Sequence, residues 1–155
     1  MLKLQNVLVT TDLSENAKSA LPFAATLAKQ HNAKLHLLYV EEPNSIYPTD
    51  DSITVAQLDW MVAERKEREQ EVRTFAQAWA ASESLAVVAH LKQGSVAKTI
   101  IATAAEVQAD CIVMSTHGRS GMARLMFGSV TEQVLRDSAC PVMCCLLYTS
   151  PSPRD

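Results

Sequence analysis

Five short apolar runs recur along the chain, and segments with helical periodicity stand between them, so the order reads β-α-β-α-β-α-β-loop-α-β. The runs are Leu4–Thr10, AKLHLLYVEE (33–42), SLAVVAHLKQG (84–94), ADCIVMST (109–116) and CPVMCCLLY (140–148). They are nearly continuous in Leu, Val, Ile and Ala, as strands are when helices cover both faces of a parallel sheet. The alternation predicts an α/β fold: an open five-stranded parallel sheet with helices on both faces.

The intervening segments carry their own signals. About Glu15 to His31, the residues Ala17, Leu21, Ala24, Ala25, Leu27 and Ala28 fall at helical spacing, with Asp12 and Ser14 as candidate caps. Pro22 inside that span predicts a kink or a later true start. PNSIYPTDDSIT (43–54) reads as the longest loop. A long helix from about Val55 to Ser82 is expected to bury Leu58, Met61, Val62, Val72, Phe75, Ala76 and Trp79. Its charged middle, ERKEREQEVR, offers Glu64–Arg68 and Glu69–Arg73 pairs one turn apart, a solvated face. A third helix (95–108) follows Gly94 with Ser95 as cap, and a fourth (129–138) follows Gly128.

A length of 155 residues suits one domain with a full core. The expected boundaries are 1–147 for that domain and 148–155 for a polar tail, where Tyr148, Thr149 and two Ser-Pro steps end the pattern. A net charge of −3 recruits neither nucleic acid nor an anionic membrane by bulk electrostatics. No apolar run nears the ~20 residues of a membrane-spanning helix, and MLKLQNVLVTTDLS lacks a secretory pattern, so a cytoplasmic chain is expected. Cys111 reads as a small buried hydrophobe. Cys140, Cys144 and Cys145 lack paired C-x-x-C spacing, and neither a zinc site nor a disulfide is expected.

Three of the four glycines, Gly118, Gly121 and Gly128, crowd into STHGRSGMARLMFGSVTEQ (115–133), which leads from the fourth strand into the last helix. In open parallel sheets the ligand edge is the carboxyl edge of the strands. The residues reaching it are Thr10, Thr11 and Asp12, then Val40, Glu41 and Glu42, then Ser115 to Gly128. A helix N-terminus there offers unpaired N–H groups and a partial positive charge to an anion, and glycine permits close approach. Gly128, Ser129, Val130 and Thr131 thus form a candidate phosphate cradle, with Arg119 and Arg124 adding charge. The plainer reading is that Ser129-Val130-Thr131-Glu132 is an S-x-x-E capping box and Gly128 a turn residue. Spacing leaves both open.

Residues 1 to about 145 resemble the universal stress protein family, whose nucleotide-binding branch carries G-x2-G-x9-G-[ST] after the fourth strand. Gly118, Gly128 and Ser129 match, and Ser115 stands at the first glycine. The run Val7-Leu8-Val9-Thr10-Thr11-Asp12 and the acidic end Val40-Glu41-Glu42 match as well. The resemblance implies strand order 3-2-1-4-5, an adenine nucleotide fold, ATP as ligand with Mg²⁺ or Mn²⁺, and a homodimer through the fifth strand. It implies that Val40 meets adenine through its backbone. Thr11 and Asp12 would sit near ribose and phosphates, with Met114, Ser115 and Gly118 lining that loop. Gly128, Ser129, Val130 and Thr131 would hold the phosphates. Serine at 115 would be strained by about 1 kcal/mol if its φ had to be positive.

His117 is expected in a loop role, His36 and His90 as structural residues, and Trp60 and Trp79 as packing residues. The leading expectation is an ATP-binding stress-response regulator with slow hydrolysis at most. An ATP-hydrolysing or nucleotidyl-transferring enzyme would need a phosphate-clamping lysine or a metal set, and no G-x4-G-K-[ST] loop is present. A module that binds no nucleotide is the third reading.

Overall fold

A computed structural model describes residues 1–43, 52–116 and 128–146. The strands are β1 (Asn6–Thr11), β2 (Lys34–Glu41), β3 (Val87–Gln93), β4 (Cys111–Ser115) and β5 (Val142–Cys145). The helices are α1 (Glu15–Lys18), α2 (Leu21–His31), α3 (Val55–Glu83), α4 (Val96–Glu106) and α5 (Ser129–Asp137). One parallel sheet runs β3-β2-β1-β4-β5, so the order implied by the resemblance is the order observed. The segment expected to be a tail, 148–155, lies outside the described residues, as does most of the 43–54 loop.

Alternating strand residues divide the core into two layers. Val7, Val9, Leu35, Leu37 and Val113 pack with Ala24 and Ala28 of α2 and with Ala76 and Trp79 of α3. Leu8, Leu38, Ile112 and Met114 pack on the other face with Ala97, Ile100 and Ala104 of α4 and Val134 of α5.

The expected first helix is two helices. Ser14 caps α1, accepting from the Ala17 N–H at 3.1 Å, and α1 ends after Lys18. Leu21 then restarts the chain as α2, with Pro22 in the first turn, where an N–H would have no intrahelical partner anyway. Of the two outcomes Pro22 signalled, the later start is the one adopted.

The stripe expected along α3 is buried only in its second half. Val72, Ala76 and Trp79 are buried, while Leu58 and Val62 are exposed, as are Val55 and Trp60. A 29-residue helix is roughly 43 Å long and the seven-residue strand β3 roughly 23 Å, so the helix outruns the sheet it packs on. The Glu69–Arg73 pair forms at 2.8 Å, and Arg68 pairs with Glu71. Ser95 occupies the N-cap of α4 as expected but makes no side-chain capping bond.

Candidate functional site

Two β-strand crossovers leave β1 and β4 toward opposite faces, which opens a crevice at their carboxyl ends. Val9 stands opposite Val113, two residues before the end of each strand, so both strands finish level. Thr11 stands opposite Tyr39 on the other side, which brings Val40 to the same edge.

Past β1 the chain turns sharply. The buried Thr11 hydroxyl accepts from the Leu13 N–H at 3.0 Å, and Asp12 Oδ1 accepts from the Ser14 N–H at 2.9 Å. Leu13 between them has φ of 64°, a left-handed conformation that costs a leucine roughly 1 kcal/mol or more. Asp12 is thereby held against the start of α1 instead of swinging with its loop.

Beyond β4, Thr116 joins three features. Its N–H donates to the Cys145 carbonyl at the end of β5, 3.3 Å away. Its carbonyl lies 3.5 Å from where a Cβ on Gly128 would stand. Its hydroxyl is buried and has no hydrogen-bond partner among the described residues. A buried hydroxyl without a partner costs about 1–3 kcal/mol, so its presence calls for a reason. Thr116 sits in the quoted segment but carried no signal there, because an orphaned hydroxyl is visible only once its surroundings are built.

The S-x-x-E capping reading does not hold. Gly128 is the N-cap of α5 and Ser129 is already its first helical residue, with no side-chain capping bond. The Gly128 carbonyl accepts from the Glu132 N–H at 3.0 Å, closing the first turn. Gly128 has φ of −60° and ψ of 158°, extended backbone open to any residue, and an added Cβ would meet only an ordinary contact among the described residues. Neither its conformation nor its described surroundings therefore require glycine here. In that first turn Thr131 is buried, Val130 packs against the α4/α5 layer and Ser129 is exposed.

Met114 is buried in the α4/α5 layer, so only its backbone faces the edge question. Ser115 ends β4 and is not among the residues with positive φ, so its Cβ brings no backbone strain. Gly118 and Arg119 lie outside the described residues, as do Arg124 and His117. Gly94 is a residue the site reading passed over. Its φ of 148° suits glycine, and its N–H donates to the Glu41 carbonyl at 3.0 Å, which brings the start of α4 to the end of β2.

His36 and His90, read as structural without a partner, are each other's partner, with Nδ1 of His36 2.9 Å from Nε2 of His90. The four thiols are free, and burial pushes those of Cys111, Cys144 and Cys145 up. Among the described residues no three His, Cys, Asp or Glu side chains gather as a metal set, and no helix is long and apolar enough to cross a membrane.

Residues 3–145 match the sequence pattern of the Universal stress protein family. The chain belongs to that family. A universal stress protein of Thermus aquaticus is 32% identical over 139 residues, covering 90% of this chain and 96% of its own. Among solved structures, the universal stress protein UspA from Lactobacillus plantarum superposes with a TM-score of 0.77 at 26% identity, over 93% of this chain and 99% of that one. A universal stress protein in complex with cAMP gives 0.68 at 23% identity, covering 94% and 98%. One from Archaeoglobus fulgidus in complex with dAMP gives 0.61 at 20%, covering 93% and 98%. The last two likenesses bear on the fold.

Proposed function

We propose that this universal stress protein binds ATP at the carboxyl edge between β1 and β4 and acts as a regulator through occupancy, with slow hydrolysis at most. One observation carries the reading: Gly128, at the N-cap of α5 and beside the end of β4, is a glycine that its own backbone does not require. A ligand that approaches the start of α5 closely explains it. A phosphate does so, and the dipole at the start of α5 favours its charge. That two neighbours hold the adenine nucleotides cAMP and dAMP supports adenine as the base.

In this reading Val40 offers its backbone to adenine, and Thr11 and Asp12 face ribose and phosphates. Met114, Ser115 and Gly118 line the phosphate loop, and Arg119 adds charge. The amides of Gly128, Ser129, Val130 and Thr131 hold the phosphates, and Asp12 meets any Mg²⁺ or Mn²⁺ the phosphates carry. Asp12 Oδ1 is engaged by the Ser14 N–H, a positioning bond that favours binding over base catalysis. Calorimetric titration should show ATP bound ahead of GTP. Thr116→Val keeps the shape and removes the orphaned hydroxyl. The variant should be more stable in urea unfolding by about 1 kcal/mol or more. Absence of heat with ATP at any Mg²⁺ concentration would refute the reading.

The homodimer is proposed through β5. Among the described residues it is an edge of the sheet, four residues long, with Met143 on it and Leu146 just past it exposed. Exposed apolar edges are normally paired or covered, and a two-fold axis pairs one with itself. Light scattering at micromolar concentration should give twice the chain mass of 17.0 kDa, and a single species at the chain mass would exclude the dimer.

A further inference from the structure

We propose that the groove between α3 and the outer edge of β3 docks an extended acidic peptide, taken up as a sixth strand of the sheet. This site stands apart from the nucleotide reading, since β3 is separated from β4 by β2 and β1.

Among the described residues β3 pairs with β2 alone. A strand presents half of its N–H and C=O groups on each side, so the outer side of β3 is a template for another strand. The helix α3 runs beside it in the opposite direction. A short turn joins Glu83 to Val87, and Arg65 Nη1 on the far part of the helix reaches Gln93 Oε1 at 3.1 Å. Arg65, Glu69, Val72 and Arg73 lie at i, i+4, i+7 and i+8, a single helix face. With residues 89–92 they enclose a groove of about 330 Å³.

The groove is cationic although the chain carries −3. Arg65, Arg73 and Lys92 line it against one carboxylate, Glu69. Glu69 is taken by Arg73 at 2.8 Å and Lys92 meets Glu106 at 3.1 Å, while Arg65 has the neutral Gln93 as its partner. These charges select the occupant. A second copy of β3 would bring the same cations face to face, which disfavours self-pairing, whereas an acidic strand is attracted.

Spacing sharpens the ligand. From Arg65 to Arg73 the helix rises eight residues, about 12 Å. Four strand residues span about 13 Å, and an even separation keeps both side chains on one face. The fitting peptide therefore carries carboxylates four residues apart.

The test uses the full chain and fluorescein-labelled seven-residue peptides of Val, Thr and two Glu, read by fluorescence anisotropy. The peptide with Glu at positions 2 and 6 should bind at least tenfold more tightly than its isomer with Glu at 2 and 5, and a Lys counterpart should not bind. Two further peptides carry backbone N-methyl groups on alternate residues, one set for each edge. A strand shows one edge to β3, so one methylated peptide should lose binding and the other keep it. R65Q/R73Q should weaken the parent peptide tenfold or more while its circular dichroism and thermal midpoint stay those of the parent chain. Equal binding of the two Glu isomers, or of both methylated peptides, would show attraction by charge alone and overturn the proposal. So would displacement of the peptide by millimolar inorganic phosphate, or no binding of any acidic peptide.

Discussion

Gly128→Val should abolish ATP binding at a cost of only about 1 kcal/mol in stability. Valine is at ease at φ of −60° and ψ of 158°, and the nearest described atom to its Cβ would be the Thr116 carbonyl at 3.5 Å, an ordinary contact. The fold should therefore accept it, with the small penalty of a β-branched N-cap. The branched side chain would nevertheless stand before the first amides of α5, where phosphate oxygens must come within about 3 Å of nitrogen. Ser129→Ala completes the experiment. Had Ser129 been the cap, its loss would cost about 1 kcal/mol of stability. As the first helical residue without a capping bond, it should leave the thermal midpoint unchanged and weaken ATP by roughly 1 kcal/mol through its hydroxyl. Thermal midpoints and ATP titrations of the two variants decide the matter. If Gly128→Val binds ATP like the parent, the phosphate cradle is wrong and the glycine serves the turn.

The fold was legible because its signals are local. Each strand announces itself as an apolar run and the crossover helices by their spacing, so a parallel sheet follows from the alternation, while its strand order was carried by the family resemblance. Local patterns misled where two structures share one pattern. S-x-x-E at Ser129 fits a capping box, but the helix begins one residue earlier, on a glycine whose extended backbone takes the cap position without a side chain. The apolar positions from Leu58 to Trp79 share one helical spacing across the charged run, yet Val72, Ala76 and Trp79 are buried while Leu58 and Val62 are exposed. What depends on register was not legible at all. His90 lies across from Leu38, two residues past His36, and no spacing along the chain reveals that the two rings meet. The Thr116 hydroxyl is of the same kind, since its lack of a partner is a property of everything around it.

That histidine pair should make the protein sensitive to mild acid. His36 is buried, with Nε2 3.3 Å from Asn6 Oδ1 and Nδ1 2.9 Å from His90 Nε2, and the rings stack with centroids 5.1 Å apart. An amide oxygen only accepts, so His36 Nε2 carries the proton and Nδ1 accepts from His90 Nε2–H. A proton added to His36 would have to enter at Nδ1, against the hydrogen that already fills that gap. Burial lowers the pKa of His36 from 6.5 to about 4, helped by His90 and by Lys34 on the same strand. His90 is lowered too, by burial and then by Lys92, with Glu106 of α4 pulling the other way. A histidine whose folded pKa lies below its unfolded one is stabilising while neutral. Its contribution is complete above pH 6.5 and is lost as the pH falls from there toward 4, because the unfolded chain then binds the proton and the folded one does not. A fall from 6.5 to about 4 corresponds to an upper figure of ~3 kcal/mol. Urea unfolding of the parent should therefore lose about 2–3 kcal/mol between pH 7 and pH 4.5, at up to ~1.4 kcal/mol per pH unit. His36→Gln keeps a polar side chain near Asn6 and His90 but cannot titrate. It should start less stable at pH 7 and lose less than half as much over the same interval. Parallel curves for the two proteins would place the acid sensitivity elsewhere in the chain.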